Sequence, residues 1–514
     1  MIAITSEARI YALAELSRRA GVSNEFFLRW RVAFSPEGNA LVVQPQPGAS
    51  AQIRFPFAAA ELQAAEVVRK TWYREAPVER GGLAPDFIVP FCTRASIAGQ
   101  PLFTEDGPQQ YSCSEDILAS IALTLSRFEE IISPVRDAHG RFPASASLAC
   151  RHNYLDRPVV DEYGLALEQI LTILMPGWQP APRSLRVKLT HDIDEVGIPF
   201  NLRGALGHVV KRKAPLFCAR DLLSLARGVE PAYLTLVRDI CRLSIERSLH
   251  SALFWMAAAP GPYDAGYDVA DSRIAGVMRW ARDQGIEMGV HPGYETFLSP
   301  ALLGEEVQRC RAALQNDRIG GRQHYLRWSP ESWLHWERCG LQYDSTVGFA
   351  DHAGFRAGTC VPYLPWLWKE NRRADVLEIP LIMMDATLVA EQYMALDADQ
   401  IREIVKRLVR RCAVVGGVFT VLWHNDRLAP PCGQHYPGVL DALSAASNYD
   451  WQADLAQLRE LSYSDVLYKP FSGALSGQPA PRNRILCHSE RSEESRSAPP
   501  TQQSIGHSSR ISNY

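Results

Sequence analysis

The stretch LRVKLTHDID, residues 185–194, is a short apolar strand that runs straight into two aspartates one residue apart. Its texture recurs downstream in SALFWMAA (251–258), GIEMGVHPG (285–293), LQYDSTVG (341–348), VLEIPLIMM (376–384) and GGVFTVLWHN (416–425). Helix-like stretches alternate with these runs at Tyr233–Ser248, Ala270–Gln284, Ala301–Leu314, Pro330–Cys339 and Ala398–Ala413. Such alternation predicts βα units around a mainly parallel sheet or barrel. In folds of that kind the chemistry sits beyond the carboxyl ends of the strands. The polar residues that end each run are therefore expected to form one site.

The first run ends in Thr190-His191-Asp192-Ile193-Asp194 and the third in His291-Pro292-Gly293-Tyr294. Arg322-Gln323-His324-Tyr325-Leu326-Arg327 and Tyr343-Asp344-Ser345-Thr346 follow, and Trp423-His424-Asn425-Asp426 closes the last run. The strand period of two puts Asp192 and Asp194 on one face and His191 on the other. An aspartate with two histidines, leaving positions open for water, is a ligand set that suits Zn²⁺ or a related divalent ion. Taken singly, either aspartate serves equally as a helix cap or turn residue. His191, His335, His352 and His435 read as structural or surface groups. Trp328, Trp333, Trp336, Tyr363, Trp366 and Trp368 read as core, with stacking on a sugar ring left open.

Upstream, residues 1–178 read as a smaller α/β domain. Glu7–Arg18 is helix-like, Leu41–Val43 and Gln52–Phe57 are strand-like, and two helices are expected at Ser114–Ile132, with Ser114 as N-cap, and Val160–Leu174. PGWQPAPRS, with three prolines in nine residues, marks the boundary with residues 179–474. Residues 475–514 are rich in Ser, Arg and Pro and are expected to be disordered. The whole chain of 514 residues is 46% apolar and 22% charged, ordinary for a globular protein. A net charge of -3 gives no reason to expect nucleic acid as a partner. The longest apolar run, Ala413–Trp423, is of strand length and too short to span a membrane. The N-terminus lacks a basic segment followed by an apolar one, so a cytoplasmic location is expected. Eleven irregularly spaced cysteines without a CxxC pair predict reduced, mostly buried thiols.

THDID resembles the first motif of the polysaccharide deacetylase family (NodB homology, carbohydrate esterase 4-like). EMGVHPGY (287–294) is similar to its second motif and TVLWHN (420–425) to its last. RQHYLRW (322–328), YDSTVGFADHAGFRAGT (343–359) and LEIPLIMMDATL (377–388) look like the middle motifs of a bacterial branch with an extra N-terminal domain. SRFEE (126–130) and RPVVDEY (157–163) fit that branch too. The resemblance implies a distorted (β/α) barrel and a metal-dependent hydrolase acting on non-peptide C–N bonds, which removes an N-acetyl or other acyl group from a sugar or glycan. Asp192 would be the base and Asp194 and His291 metal ligands. His424 would be the general acid, and Arg322 would orient Asp192. The usual second motif ends in a second ligand histidine four residues on, where this chain has Glu295. His324 is the preferred replacement and Glu295 the other candidate, with Zn²⁺ the expected ion.

Two other readings stand beside this one. Asp192-Ile193-Asp194-Glu195-Val196 also matches the D-x-D-x-[TV] loop of haloacid dehalogenase-type phosphatases, although no downstream acidic Mg²⁺ motif accompanies it. The scaffold could equally serve as a non-catalytic glycan-binding or assembly module. Sugar identity and oligomeric state are not legible in the sequence.

Overall fold

The computed structural model describes residues 4–46, 50–58, 66–74, 84–197, 219, 223, 227, 230–264 and 266–461. The strand Arg186–Ile193 lies at the centre of a parallel sheet. On one side it pairs with Ser251–Met256, which pairs in turn with Glu287–His291. On the other side it pairs with Val418–Leu422, which is flanked by Met383–Met384. The register sets Asp192 opposite Phe254 and Thr190 opposite Leu422. Because every strand runs the same way, residues just past the ends of all five emerge along one edge of the sheet.

The path continues beyond His291. Parallel bridges join Val290 to Gly321 and Gly321 to Asp344, and Tyr343–Asp344 pairs with Leu377–Glu378. Gly321 is required where it stands, because a Cβ there would lie 1.8 Å from the carbonyl oxygen of Val290. Bare backbone at that point lets Arg322 enter the sheet edge. Ser251–Met256 is buried along its whole length, as expected of a parallel strand covered on both faces. The covering helices include Ala232–Ile245, Ser272–Asp283, Pro300–Leu314 and Ala398–Val415.

The N-terminal region is mixed α/β as well. Its five-stranded sheet runs Arg31–Phe34, Ala40–Gln44, Gln52–Pro56, Gln110–Cys113, Phe103–Gly107, antiparallel except where Gln52–Pro56 meets Gln110–Cys113. The helices Ser6–Arg19 and Val159–Leu174 are largely buried.

Two expectations are corrected. The helix read over Ser114–Ile132 is two, Ile117–Leu125 and Phe128–Ile132, broken where Arg127 takes φ 56°. Asp116, not Ser114, caps the first by accepting from the Ala119 amide. The apolar run Ala413–Trp423 spans the end of one element and the start of the next, as the helix-like stretch to Ala413 and the strand-like run from Gly416 had it. Helix Ala398–Val415 ends in it at Gly416, whose φ of 69° turns the chain into Val418–Leu422.

All described residues lie in one compact unit, and the tail expected to be disordered lies outside the described residues. Buried ion pairs tie the N-terminal region to the loop after Asp344. Glu130 receives Arg356 at 2.6 and 2.9 Å and Arg127 at 2.8 Å. Asp161 receives Arg19 at 2.6 Å, the Thr359 hydroxyl at 2.5 Å and the Cys360 amide at 2.8 Å. The motifs SRFEE, RPVVDEY and FRAGT thus meet as a seam between the two regions. The nine cysteines among the described residues are all free. No helix among those residues is long and apolar enough to cross a membrane.

Candidate metal centre and its surroundings

Asp194, His291 and His324 each direct one ligand-type atom into a space where these atoms lie within 4.8 Å of one another. Nε2 of His291 is 3.1 Å from Oδ1 of Asp194, and Nε2 of His324 is 3.7 Å from Oδ2. The other ring nitrogens are committed. Nδ1 of His291 donates to the Arg322 carbonyl at 2.7 Å, and Nδ1 of His324 lies 2.8 Å from Asp264 Oδ1. A carbonyl only accepts, so in the neutral ring the proton of His291 sits on Nδ1 and the lone pair of Nε2 faces Asp194.

His291 Nε2 and Asp194 Oδ1 are both buried and neither has a hydrogen-bond partner among the described residues. Two buried acceptors left facing each other are costly unless a cation lies between them. The Asp264–His324 contact is the outer support that metal-binding histidines ordinarily have. The donor set therefore fits a divalent ion. Burial pulls the His324 pKa down, but Asp194 and then Asp264 outweigh it and push it up to about 9. Burial raises the pKa of Asp194, yet the charge of His324 and the contacts with both histidines hold it well below the usual carboxylate range.

Glu295, the other candidate third ligand, stands outside this cluster. Its side chain is 68% exposed and lies 3.8 Å from Arg327. His324 arrives instead through a backbone detour: Tyr325 and Leu326 both take positive φ, 60° and 55°. Such values in non-glycine residues are uncommon and frequent near functional sites.

Asp192 and His424 approach the cluster from separate strands. Arg322, completely buried, holds Asp192 Oδ1 at 2.9 Å and is itself anchored on Thr190 Oγ1, the Ser345 carbonyl and Ser345 Oγ. His424 Nε2 lies 3.7 Å from Asp194 Oδ2. Its Nδ1 lies 2.8 Å from Asp385 Oδ1, while its backbone amide donates to Asp385 Oδ2 at 2.7 Å. Burial would lower the His424 pKa, but Asp385, with Asp194 and Asp192 behind it, raises it to about 10. These carboxylates thus draw the imidazole toward its protonated form. Asp192, Asp194, His291, His324 and His424 all line one cavity of about 360 Å³.

The remaining strand-end residues sit elsewhere. His191 is buried between the Trp423 carbonyl and Ser251 Oγ, at 2.8 and 3.0 Å, in keeping with a structural role. Asp344 is buried behind the sheet edge, where Thr346 bonds it. The aromatic wall of the cavity is Tyr263, Tyr325 and Tyr393, while Trp328, Trp333, Trp336, Tyr363 and Trp366 are core. Two polar residues of the site had no role in the sequence reading. Asp385 ends the run LEIPLIMM and was open to the strand-end rule; Asp264 lies in a loop with no local signal.

Residues 16–176 match a family model described as a family of unknown function (DUF7033). Among curated proteins nothing matches. Among solved structures, the chain is similar to a protein from Mycobacterium smegmatis titled as a candidate polysaccharide deacetylase. The identity is 14% and the TM-score 0.39, over 55% of this chain and 93% of that one. It is also similar to a candidate polysaccharide deacetylase from Bordetella bronchiseptica, described as involved in O-antigen biosynthesis. There the identity is 15% and the TM-score 0.27, over 55% of this chain and 94% of that one.

Proposed function

We propose that this chain is a metal-dependent hydrolase that removes an acyl group, an N-acetyl group in particular, from a sugar or glycan intermediate. The observation that carries the reading is the joint arrangement around Asp194. Two imidazoles face it, an arginine-held carboxylate lies on one strand, and a carboxylate-held imidazole lies on another. Asp194, His291 and His324 would hold the ion, Zn²⁺ by donor type. When bound, the ion would supply Lewis-acid polarisation of the acyl carbonyl and acidify water.

The chain's own residues have distinct tasks in this reading. Arg322 holds Oδ1 of Asp192, leaving Oδ2 to accept the proton of the attacking water. His424, protonated because Asp385 backs its Nδ1, gives the Nε2 proton to the departing amine. Asp264 fixes the ring plane of His324 through Nδ1. We read the strands as a distorted (β/α) barrel with an accessory domain over residues 1–178. Acting in the cytoplasm, the enzyme would meet a biosynthetic intermediate.

The test is acetate release from N-acetylated sugars by the zinc-loaded protein, with metal content measured on the same sample. Stoichiometric metal with acetate release supports the reading. A folded, metal-free chain that releases nothing would instead favour a glycan-binding module, and Mg²⁺-dependent phosphate release a phosphatase.

A further inference from the structure

The cavity holds donors that the reaction above does not use. Arg427 lines it, and its guanidinium makes no hydrogen bond or ion pair among the described residues. Arg141, from the N-terminal region, lines it as well and is 7% exposed. It gives one N–H to Asp137 Oδ2 at 2.8 Å, one to the Tyr325 carbonyl at 3.1 Å and one to the Tyr393 hydroxyl at 3.2 Å. A guanidinium has five N–H groups, so two remain.

The carboxylates that share the wall are engaged. Asp192 is held by Arg322 and Asp194 by the imidazoles, while Glu195 and Asp426 have partners of their own. Asp385, Asp426 and Asp194 lie near enough to favour the charge of the half-buried Arg427, yet none of them takes its N–H groups among the described residues; unspent donors on it and on the buried Arg141 are satisfied by an oxyanion. The planar arginine fork matches carboxylate and phosphate oxygens. Arg141 is also fixed in position. Its turn closes by the Asp137 amide donating to the Arg141 carbonyl at 2.8 Å, and Arg327 donates to the His139 carbonyl at 3.0 Å. Beside it, Tyr263 is 44% exposed and stacks on Tyr294 with centroids 4.1 Å apart, offering aromatic surface to a ring.

We infer that Arg141 and Arg427 bind an anionic group, a phosphate or a carboxylate, on the non-reacting part of the acylated sugar, and that the N-terminal region selects substrate through Arg141. The inference rests on the hydrolase reading for the sugar, but its test does not require turnover.

Binding is measured by titration calorimetry on full-length Asp192→Asn protein with N-acetylglucosamine, N-acetylglucosamine 1-phosphate and N-acetylglucosaminuronic acid. At least one anionic sugar is expected to bind about tenfold or more tighter than the neutral one. Whether the phosphate or the uronate shows that preference identifies the anion. Arg427→Met and Arg141→Met should each remove most of it, and Arg427→Lys should keep part. Should Arg141→Met fail to fold, judged by its melting curve, Arg427→Met decides alone. Equal affinity for neutral and anionic sugars overturns the inference. So does a preference that survives Arg427→Met, since the anion would then be held by other groups. Acetate release by the unsubstituted protein, followed in parallel, judges the hydrolase reading separately: an anion preference without acetate release would sink that reading alone.

Discussion

Asp385 grips His424 twice: its Oδ1 lies 2.8 Å from Nδ1 of the ring, and its Oδ2 accepts the backbone amide of the same residue at 2.7 Å. One carboxylate thus sets both the ring's orientation and the strand end that bears it. Asp385→Asn keeps the shape but removes the charge that favours the imidazolium. The expected result is a fall in kcat of about 10²-fold or more, the usual scale of general acid–base catalysis. Since both residues act on one proton, His424→Ala combined with Asp385→Asn should cost little more than His424→Ala alone. Additive losses in steady-state kinetics would show that Asp385 acts elsewhere.

Metal content should sort the site residues into two groups. Asp194→Ala, His291→Ala and His324→Ala are expected to lose bound zinc, read by elemental analysis of the purified protein. Asp192→Asn and Glu295→Ala should retain it, with activity abolished only in the former. Zinc lost with Glu295→Ala and kept with His324→Ala would reverse the choice of third ligand.

Asp264 touches the candidate centre only through Nδ1 of His324. Supports of this kind are worth about 10- to 100-fold in metal affinity. Asp264→Ala should weaken zinc binding by that order in a competition titration with a chromogenic chelator. An unchanged affinity would mean that His324 is held by its backbone alone.

The seam between the two regions should be fragile to single changes. Glu130 and Arg356 are each about 1% exposed at the side chain and pair at 2.6 Å. Removing Arg356 leaves Oε2 of the buried Glu130 without its partner, since Arg127 holds only Oε1, and costs about 1–3 kcal/mol. Arg356→Met should lower the midpoint of urea denaturation accordingly, while Arg372→Met, in an exposed pair with Glu337, should shift it little. Comparable shifts would argue that the seam is not where stability resides.

Stability should also fall as pH rises. Asp344 and Glu378 are buried side by side across the register of their strands; burial above all raises both carboxyls, the charge of Asp344 raises Glu378 further, and Asp344 reaches about 7. In the folded chain Asp344 keeps its proton where the unfolded chain, with an ordinary carboxyl, has lost it. The unfolded state then binds fewer protons, and stability declines from the ordinary carboxylate range up through about pH 7. Melting temperatures taken across that window should drop in the unsubstituted protein and flatten in Asp344→Asn. A profile that rises with pH, with Asp344→Asn parallel to it, would show that the pair folds ionised.

Much of this was legible locally. Arg186–Ile193, Ser251–Met256, Glu287–His291 and Val418–Leu422 fall where the apolar runs place them, as do Ser272–Asp283, Pro300–Leu314 and Ala398–Val415. The misreadings came from local signals too weak to arbitrate. Arg127 breaks a helix through a left-handed conformation that no apolar period announces, because its guanidinium is drawn to Glu130 and the Arg356 carbonyl. The six aromatics near the motifs read as core; five are buried, while Trp368 is half-buried. The aromatic wall is tyrosine, assembled from three separate loops.

What the sequence determined by itself is the order of strands and helices and the identity of Asp192, Asp194, His291 and His424 as strand-end groups. Periodicity and element ends are set by neighbours along the chain, and parallel strands send all their carboxyl ends to one edge. What only the tertiary structure decided is which loops fold back on that edge. His324 rather than Glu295 enters the cluster, Asp264 reaches His324 from 60 residues away, and Arg141 meets Tyr393 across 252. Such contacts depend on backbone paths and buried charge pairing over long separations, which no local pattern of residues records.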